Sequence, residues 1–119
     1  MTTTSEITNS QDGDNLISQI KNGQELIVFK YSTTCSVSYT AQNIFNVWLK
    51  SLKDHTDLII VKVDVIKRRE LSNKIEQQTG VRHESPQIIW LYSGTVKWHA
   101  SHFEISAKAL SAQLNSYNG

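Results

Sequence analysis

Cysteine and proline are almost missing from this chain: each occurs once among 119 residues, as Cys35 and Pro86. A single cysteine cannot form an intrachain disulfide, which argues against a secreted scaffold and favours a reducing cytosol. The net charge is only +1, so no broad basic surface is present for nucleic acid. No apolar run approaches the length of a membrane span, and the polar stretch Met1–Gln11 lacks the apolar core of a signal peptide. These absences favour a soluble cytoplasmic protein that binds neither nucleic acid nor membrane, with a monomer as the default.

The rest of the sequence alternates between strand and helix patterns. Residues 1–12 are polar and offer nothing to bury, so we expect a disordered tail there and one domain over residues 13–119. Apolar residues recur at helical spacing in some segments and form short, nearly continuous runs in others. In chain order the patterns predict a helix through Leu16, Ile17 and Ile20 that ends at Gly23, a strand Glu25–Tyr31, a helix Ser36–Lys53, a strand Leu58–Val65, a helix through Leu71 and Ile75, strands Gln87–Tyr92 and Thr95–Ala100, and a last helix capped by Ser106.

This order of elements predicts the fold. A strand, a helix and a second strand form a parallel pair with a right-handed crossover. The two-residue loop Ser93-Gly94 is suited to a tight turn between the last two strands, which would then be antiparallel. We therefore expect an α/β protein with the thioredoxin-like fold, in which a mixed four-stranded sheet carries helices on both faces.

Cys35 lies at the junction between the first of these strands and the long helix that follows. Unpaired N–H groups at a helix start and the positive end of the helix dipole favour the thiolate, which is the nucleophilic form of cysteine. The alternative is an inert thiol in the core, because free cysteine is often buried. The position at the helix start favours the reactive thiol. Ser38 stands where a C-x-x-C motif would carry its second sulfur, and its hydroxyl either donates a hydrogen bond to Cys35 or points to water.

Pro86 comes directly before the predicted strand Gln87–Tyr92, where its missing N–H is tolerated. In a thioredoxin-like sheet this loop would lie beside the cysteine. We expect a cis peptide bond between Ser85 and Pro86, which would turn the backbone of Ser85 toward the sulfur. The alternative is a trans proline that shapes the loop.

Three segments together resemble the monothiol bacilliredoxins, small thioredoxin-like proteins of bacteria that use bacillithiol. They are residues 33–38 (Thr-Thr-Cys-Ser-Val-Ser), 80–87 (Gly-Val-Arg-His-Glu-Ser-Pro-Gln) and 98–103 (Trp-His-Ala-Ser-His-Phe). The family pattern has a proline directly after the cysteine, whereas this chain has Ser36, which restores a backbone N–H and adds a hydroxyl. The resemblance implies a thiol–disulfide oxidoreductase with Cys35 as nucleophile and a supporting set of Thr34, Ser36, Ser38, Ser85 and Pro86.

The resemblance also implies a mechanism. Cys35 would attack the mixed disulfide between a client protein and bacillithiol, take bacillithiol onto itself and release the client reduced. Because position 38 holds serine, a second low-molecular-weight thiol would then clear the adduct. Bacillithiol is thus a co-substrate, no cofactor is bound, and the partners are S-thiolated client proteins.

Bacillithiol carries carboxylates, so its site should offer positive donors. The candidates are Lys30, Arg82 and His83, although each is also consistent with an ordinary solvated side chain. His99 and His102 have no acidic residue or second cysteine nearby in ligand spacing, so no metal site is predicted. An iron–sulfur cluster with an external thiol as co-ligand stays open.

Two further interpretations remain. One is a non-catalytic thioredoxin-like adaptor or thiol sensor, in which Cys35 is inert or only accepts a thiol as a marker. The other is a monothiol glutaredoxin-like protein that uses glutathione. Ser36, where the family pattern breaks, is the residue that divides an enzyme from a sensor.

Overall fold

A computed structural model describes residues 2–6, 25–34, 36–52, 58–93 and 95–118 of the chain. These residues form one sheet with helices on both of its faces. The elements are β1 (Thr2–Glu6), β2 (Glu25–Tyr31), α1 (Ser36–Ser51), β3 (Leu58–Asp64), α2 (Arg69–Thr79), β4 (Gln87–Tyr92), β5 (Thr95–Ser101), a 3₁₀ helix (His102–Glu104) and α3 (Ala107–Asn118).

The sheet has five strands in the order β1-β3-β2-β4-β5. Strands β1 and β2 each run parallel to β3, whereas β4 is antiparallel to β2 and β5 is antiparallel to β4. The four strands expected from the sequence are therefore present, and they pair as the β-α-β unit and the hairpin require. The predicted turn residue Gly94 lies outside the described residues.

Strand β1 corrects one expectation. Residues 2–6 were predicted to belong to a disordered tail, but they pair with β3 from Thr2 opposite Leu58 to Glu6 opposite Lys62. The prediction considered only what the segment could bury. An edge strand is also held by its backbone hydrogen bonds, and the β-branched Thr2, Thr3 and Thr4 suit extended structure. Residues 7–12, the boundary at residue 13 and the predicted helix through Leu16 lie outside the described residues.

Successive residues of β2 supply the two halves of the core. Ile27 and Phe29 face α1 and α3, whereas Leu26 and Val28 face α2. Side chains on both faces are buried because helices cover both sides, which explains why the central strands read as continuous apolar runs. On the α1 side the aromatic rings of Phe29, Phe45, Trp48 and Trp90 contact one another in sequence, with centroid separations of 4.9, 6.0 and 5.9 Å.

Helix ends follow the predicted signals. Gly80 ends α2 in the left-handed conformation, with φ of 74°, and its N–H donates to the carbonyl of Glu76. The hydroxyl of Ser106 accepts a hydrogen bond from the N–H of Ala109 at 3.1 Å, so Ser106 caps α3 as predicted. Among the helices that the structure describes, none is long and apolar enough to cross a membrane.

Candidate functional site

Three loops meet at one end of the sheet, where β2 and β3 finish and β4 begins. Lys30, near the end of β2, pairs with Gln87 at the start of β4 and with Val63 of β3. Pro86 directly precedes Gln87, and its carbonyl accepts a hydrogen bond from the N–H of His102 at 3.0 Å. The loop between β2 and α1, the loop before β4 and the 3₁₀ helix after β5 therefore lie at the same edge.

The junction between β2 and α1 contains the single cysteine. Residue 35 itself lies outside the described residues, but its two neighbours, Thr34 and Ser36, are both exposed. Helix α1 begins at Ser36, as predicted, and has no acidic residue in its first turn. A chain that enters a 16-residue helix here leaves the first N–H groups of that helix unpaired beside residue 35.

Hydroxyl groups fix the shape of this junction. The buried Oγ of Ser38, a residue that is 1% exposed, accepts a hydrogen bond from the N–H of Ser32 at 3.0 Å. The Oγ of Ser32 lies 3.1 Å from Thr34 Oγ1 and accepts the N–H of Thr34 at 3.3 Å. Of the two alternatives given for Ser38, exposure to water is wrong, because this side chain is buried under the loop. A hydrogen bond from Ser38 to Cys35 stays a prediction, since residue 35 lies outside the described residues.

Ser32 was not among the residues predicted for the site. Its signal in the sequence was available: serine and threonine hydroxyls between a strand and a helix commonly bind the backbone one to two residues away. This turn orders the residues before position 35, and the hydrogen bond from Ser32 to Ser38 joins them to the first turn of α1.

The loop before β4 brings two predicted residues to the same edge. The peptide bond between Ser85 and Pro86 is cis, and Pro86 is buried. Within the described part of the chain, the buried Oγ of Ser85 and Oε1 of Gln87 have no hydrogen-bond partner. Gln87 uses its Nε2 to donate to the carbonyl of Arg82 at 2.8 Å.

Lys30 is placed differently from what the sequence predicted. It was expected to offer its ammonium to a carboxylate ligand, but its side chain is 0% exposed and lies on the α2 face of the sheet. Nζ donates to the carbonyl of Ser72 at 3.1 Å and lies 3.4 Å from Nδ1 of His83. Burial lowers the pKa of Lys30 to about 8, against the opposing effect of Glu76. A lysine held in this way does not reach a ligand at the surface.

Arg82 and His83 follow one another but have different surroundings. Arg82 is exposed at the site edge and keeps the role predicted for it as a candidate. His83 is half-buried, and its Nδ1 lies 2.8 Å from Ser72 Oγ. Burial, followed by the nearby charge of Lys30, lowers the pKa of His83. His83 therefore faces inward as a neutral ring and not outward as a cation.

The structure adds an apolar groove that the sequence did not indicate. Its volume is about 110 Å³, and Phe103 at its rim is 88% exposed. The groove forms where α1 meets the 3₁₀ helix, and the spacing of residues along α1 does not show which segment packs beside it. The lining residues are Val37, Thr40, Ala41, Ile44, His102, Phe103 and Ile105.

The histidines considered for a metal are exposed at this edge, His99 on β5 and His102 on the 3₁₀ helix. Across the described ranges, no three His, Cys, Asp or Glu side chains lie close enough together to hold a metal ion. This finding gives no support to His99 and His102 as metal ligands.

The sequence of this chain matches a known protein family over most of its length. The family model described as monothiol bacilliredoxin BrxC matches residues 5–110. This chain belongs to the monothiol bacilliredoxin family. The match includes the segments around Cys35 and Pro86 and the 3₁₀ helix after β5, and so covers all three loops at the site edge.

Solved structures confirm the thioredoxin-like fold. A candidate oxidoreductase with a thioredoxin fold superposes with a TM-score of 0.75 at 26% identity, covering 93% of each chain. The thioredoxin pre-protein of Schistosoma mansoni, in its reduced form, gives 0.72 at 22% identity, covering 96% of this chain and 97% of that one. The oxidised thioredoxin of Plasmodium falciparum gives 0.68 at 18% identity, covering 98% and 100%. The α/β architecture of this bacilliredoxin family member is that of a thioredoxin.

Proposed function

We propose that this bacilliredoxin family member is a monothiol thiol–disulfide oxidoreductase that removes bacillithiol from mixed disulfides on proteins in the cytoplasm. The observation that carries the proposal is the placement of the only cysteine directly before α1, between two exposed residues and at the sheet edge that also holds Pro86. The family supplies the class of small thiol.

The first step is an exchange of one disulfide for another. The Cys35 thiolate attacks the bacillithiol sulfur of a client–S–S–bacillithiol disulfide. A bond forms between Cys35 and bacillithiol, the original S–S bond breaks, and the client leaves as a thiolate that takes up a proton. No net oxidation occurs in this step, because the protein thiol becomes a disulfide as the client is reduced.

A second thiol completes the cycle. Ser38 occupies the position of a resolving cysteine, and its hydroxyl cannot form a disulfide. A second bacillithiol thiolate attacks the bacillithiol sulfur of the adduct, which releases Cys35 as thiolate and forms the bacillithiol disulfide. Over both steps, two bacillithiol molecules carry away the oxidation that the client held.

Two features of the site support a thiolate at residue 35. The first turn of α1 contributes unpaired N–H groups and the positive end of the helix dipole, and no acidic side chain there opposes them. The hydrogen bond between Ser38 and Ser32 joins the described residues on the two sides of position 35. The first effect favours the charged form of the nucleophile, and the second orders the residues that flank it.

Recognition of the small thiol is assigned to Arg82. Its guanidinium is exposed beside the Pro86 loop, and a planar guanidinium binds a carboxylate through two parallel hydrogen bonds. Lys30 and His83 do not share this role, because one is buried and the other directs Nδ1 inward.

A single reconstitution tests the proposed function. A client peptide carrying a bacillithiol mixed disulfide is incubated with the protein and free bacillithiol, and reduced peptide is followed by mass spectrometry. We expect catalytic release of the peptide and a transient protein adduct at Cys35. The Cys35→Ser variant is the control and should give only the uncatalysed rate. A stable adduct without turnover would contradict the enzyme and identify a thiol sensor.

The sensor is kept as the second candidate because of Ser36. This exposed serine begins α1 where the family pattern has proline, so the helix start carries an additional N–H and a hydroxyl. A proline at this position would fix the backbone at the start of α1, and its loss favours slower exchange and therefore the sensor. Replacement of Ser36 by proline decides whether turnover changes. A parallel assay with a glutathione mixed disulfide separates the two classes of small thiol.

A further inference from the structure

Four polar side chains form a cluster on the α2 face of the sheet, and the proposed exchange reaction uses none of them. This cluster, called the Lys30 cluster below, consists of Lys30 of β2, Ser72 and Glu76 of α2, and His83 of the segment between α2 and β4. Lys30 and Ser72 are buried. Lys30 Nζ contacts Ser72 O and His83 Nδ1, and Ser72 Oγ contacts the same ring nitrogen.

The cluster holds a segment that belongs to no helix or strand. Residues 80–86 connect α2 to β4 and end at the Ser85–Pro86 peptide. His83, in the middle of the segment, is held at its ring by Lys30 and Ser72 and at its N–H by the carboxylate of Glu76. Gln87 binds the carbonyl of Arg82 next to it. Side chains of the sheet and of helix α2 thus hold residues 80–86, the segment that leads to Pro86.

Burial of the Lys30 ammonium is energetically unfavourable in itself. Removing a cation from water is unfavourable unless its donors are used, and an apolar side chain of the same length would avoid that cost. Lys30 directs its donors to one carbonyl of α2 and to the ring of His83. These two contacts join helix α2 to the loop, which an apolar side chain could not do.

We propose that Lys30 is a positioning residue: acting through His83, it holds residues 80–86 so that Ser85 and Pro86 keep one position relative to the Cys35 loop. The inference rests on the proposed function, since it assigns to the cluster the task of ordering the surface that receives the mixed disulfide. Lys30 does not touch the substrate in this account. Its effect is on how well the substrate disulfide is aligned for attack.

The surroundings of His83 favour its neutral ring. Burial lowers the pKa of His83, as do the charges of Lys30 of β2 and Arg69 of α2, against the opposing effect of the carboxylates of Glu76 and Glu84. Because an ammonium has only donors, its approach to Nδ1 favours the tautomer without a proton on that nitrogen. A doubly protonated His83 would place its positive charge next to the Lys30 ammonium. The two groups would repel each other, and the contact that holds residues 80–86 would be lost.

Hydrogen exchange tests the structural half of the proposal. Amide exchange in residues 81–84 is measured by mass spectrometry on the full-length protein and on the Lys30→Met, His83→Gln and Lys62→Met variants. Lys62 is the matched control, because it lies on β3 and binds Asn46 of α1 on the other face. We expect exchange at 81–84 to rise roughly tenfold in the first two variants and to stay unchanged in the control. Unchanged exchange in Lys30→Met and His83→Gln would overturn the proposal.

Kinetics test the functional half. For Lys30→Met, we expect kcat/KM for reduction of the peptide–bacillithiol disulfide to fall about tenfold, because alignment of the reacting atoms is lost. Alkylation of Cys35 by iodoacetamide needs no such alignment and should change by less than about twofold. Equal losses in both reactions would overturn positioning, since Lys30 would then act on the charge of the sulfur. If the wild type reduces no mixed disulfide, the proposed function fails, while the exchange result still decides whether Lys30 holds the segment.

Discussion

At the residue scale, the site consists of one sulfur and the hydroxyl groups that shape its loop. Ser38 illustrates the difference between a residue type and its role. From the sequence it is the residue that replaces a second cysteine. In the structure it is buried and accepts the N–H of Ser32, so it supports the loop around residue 35. The serine at position 38 thus cannot form a disulfide with Cys35, and its hydroxyl holds the segment that leads into α1.

Replacement of Ser38 by alanine should destabilise the protein, although it removes only one hydroxyl group. The change leaves the N–H of Ser32 without its acceptor in a partly buried loop, and we expect the free energy of unfolding to fall by about 1–2 kcal/mol. Urea denaturation measures this. Ser36→Ala, an exposed serine in the same helix turn, is the control and should change stability by less than about 0.5 kcal/mol. Equal effects of the two substitutions would show that the Ser38 hydrogen bond does not hold the loop.

Arg82 provides the second residue-scale prediction. For Arg82→Ala, we expect KM for the peptide–bacillithiol disulfide to rise about fivefold to tenfold with little change in kcat, because a bidentate carboxylate contact is lost. The same peptide carrying cysteamine, which has no carboxylate, should be insensitive to the substitution. Lys67→Ala, which removes another exposed cation after β3, is the control variant. A rise in KM that is equal for both disulfides would contradict recognition through the carboxylate.

At the element scale, the side chains of β2 enter two different environments, one on each face of the sheet. Its Ile27 and Phe29 join the aromatic core under α1, while Lys30 enters the polar cluster under α2. A strand-end lysine is normally solvated, and its burial here depends on where α2 and the segment 80–86 pack. That packing is a tertiary property, which is why periodicity along β2 could not predict it.

Burial of Lys30 gives stability a characteristic dependence on pH. Its pKa is about 8 in the folded protein, below the value of about 10.4 for an unperturbed lysine. Between these two values the unfolded chain binds more protons than the folded one, so the contribution of Lys30 to stability increases with pH. We expect the stability of wild type relative to Lys30→Met to rise between pH 7 and pH 10.

Denaturant midpoints of the two proteins across that range provide the measurement. Lys50→Met removes an exposed lysine near the end of α1 and serves as the reference variant. Its stability relative to wild type should change little over the same range. The difference in unfolding free energy between wild type and Lys30→Met could instead stay constant with pH. That result would contradict the prediction, because it would show that burial does not lower the pKa of Lys30.

At the scale of the whole molecule, the order of strands and helices could be predicted because it depends on local patterns. The bounds of β2 and β4 follow directly from apolar runs that end in polar or turn residues, and the start of α1 follows from the change of period at Ser36. Strand β1 could not be found in this way, because residues 2–6 contain no apolar run and pair with β3 through their backbone. Its polar composition also resembled that of a tail.

The site was predictable to a similar degree. Cys35 and Pro86 could be placed at one edge because the fold brings the end of β2 next to the start of β4. The partners of individual side chains could not be placed. The inward position of Lys30, the hydrogen bond between Ser38 and Ser32, and the groove below Phe103 all depend on contacts between segments that are distant in sequence.

The proposed function depends most on the charge of one sulfur in the whole folded protein. The rate of Cys35 alkylation by iodoacetamide, measured from pH 4 to pH 10, reports this directly, because no other cysteine is present to react. Protein unfolded in urea provides the reference titration. We expect an apparent pKa for the folded protein well below the value of about 8.5 for a free cysteine. A folded-state pKa at or above that of the unfolded chain would contradict the proposed function.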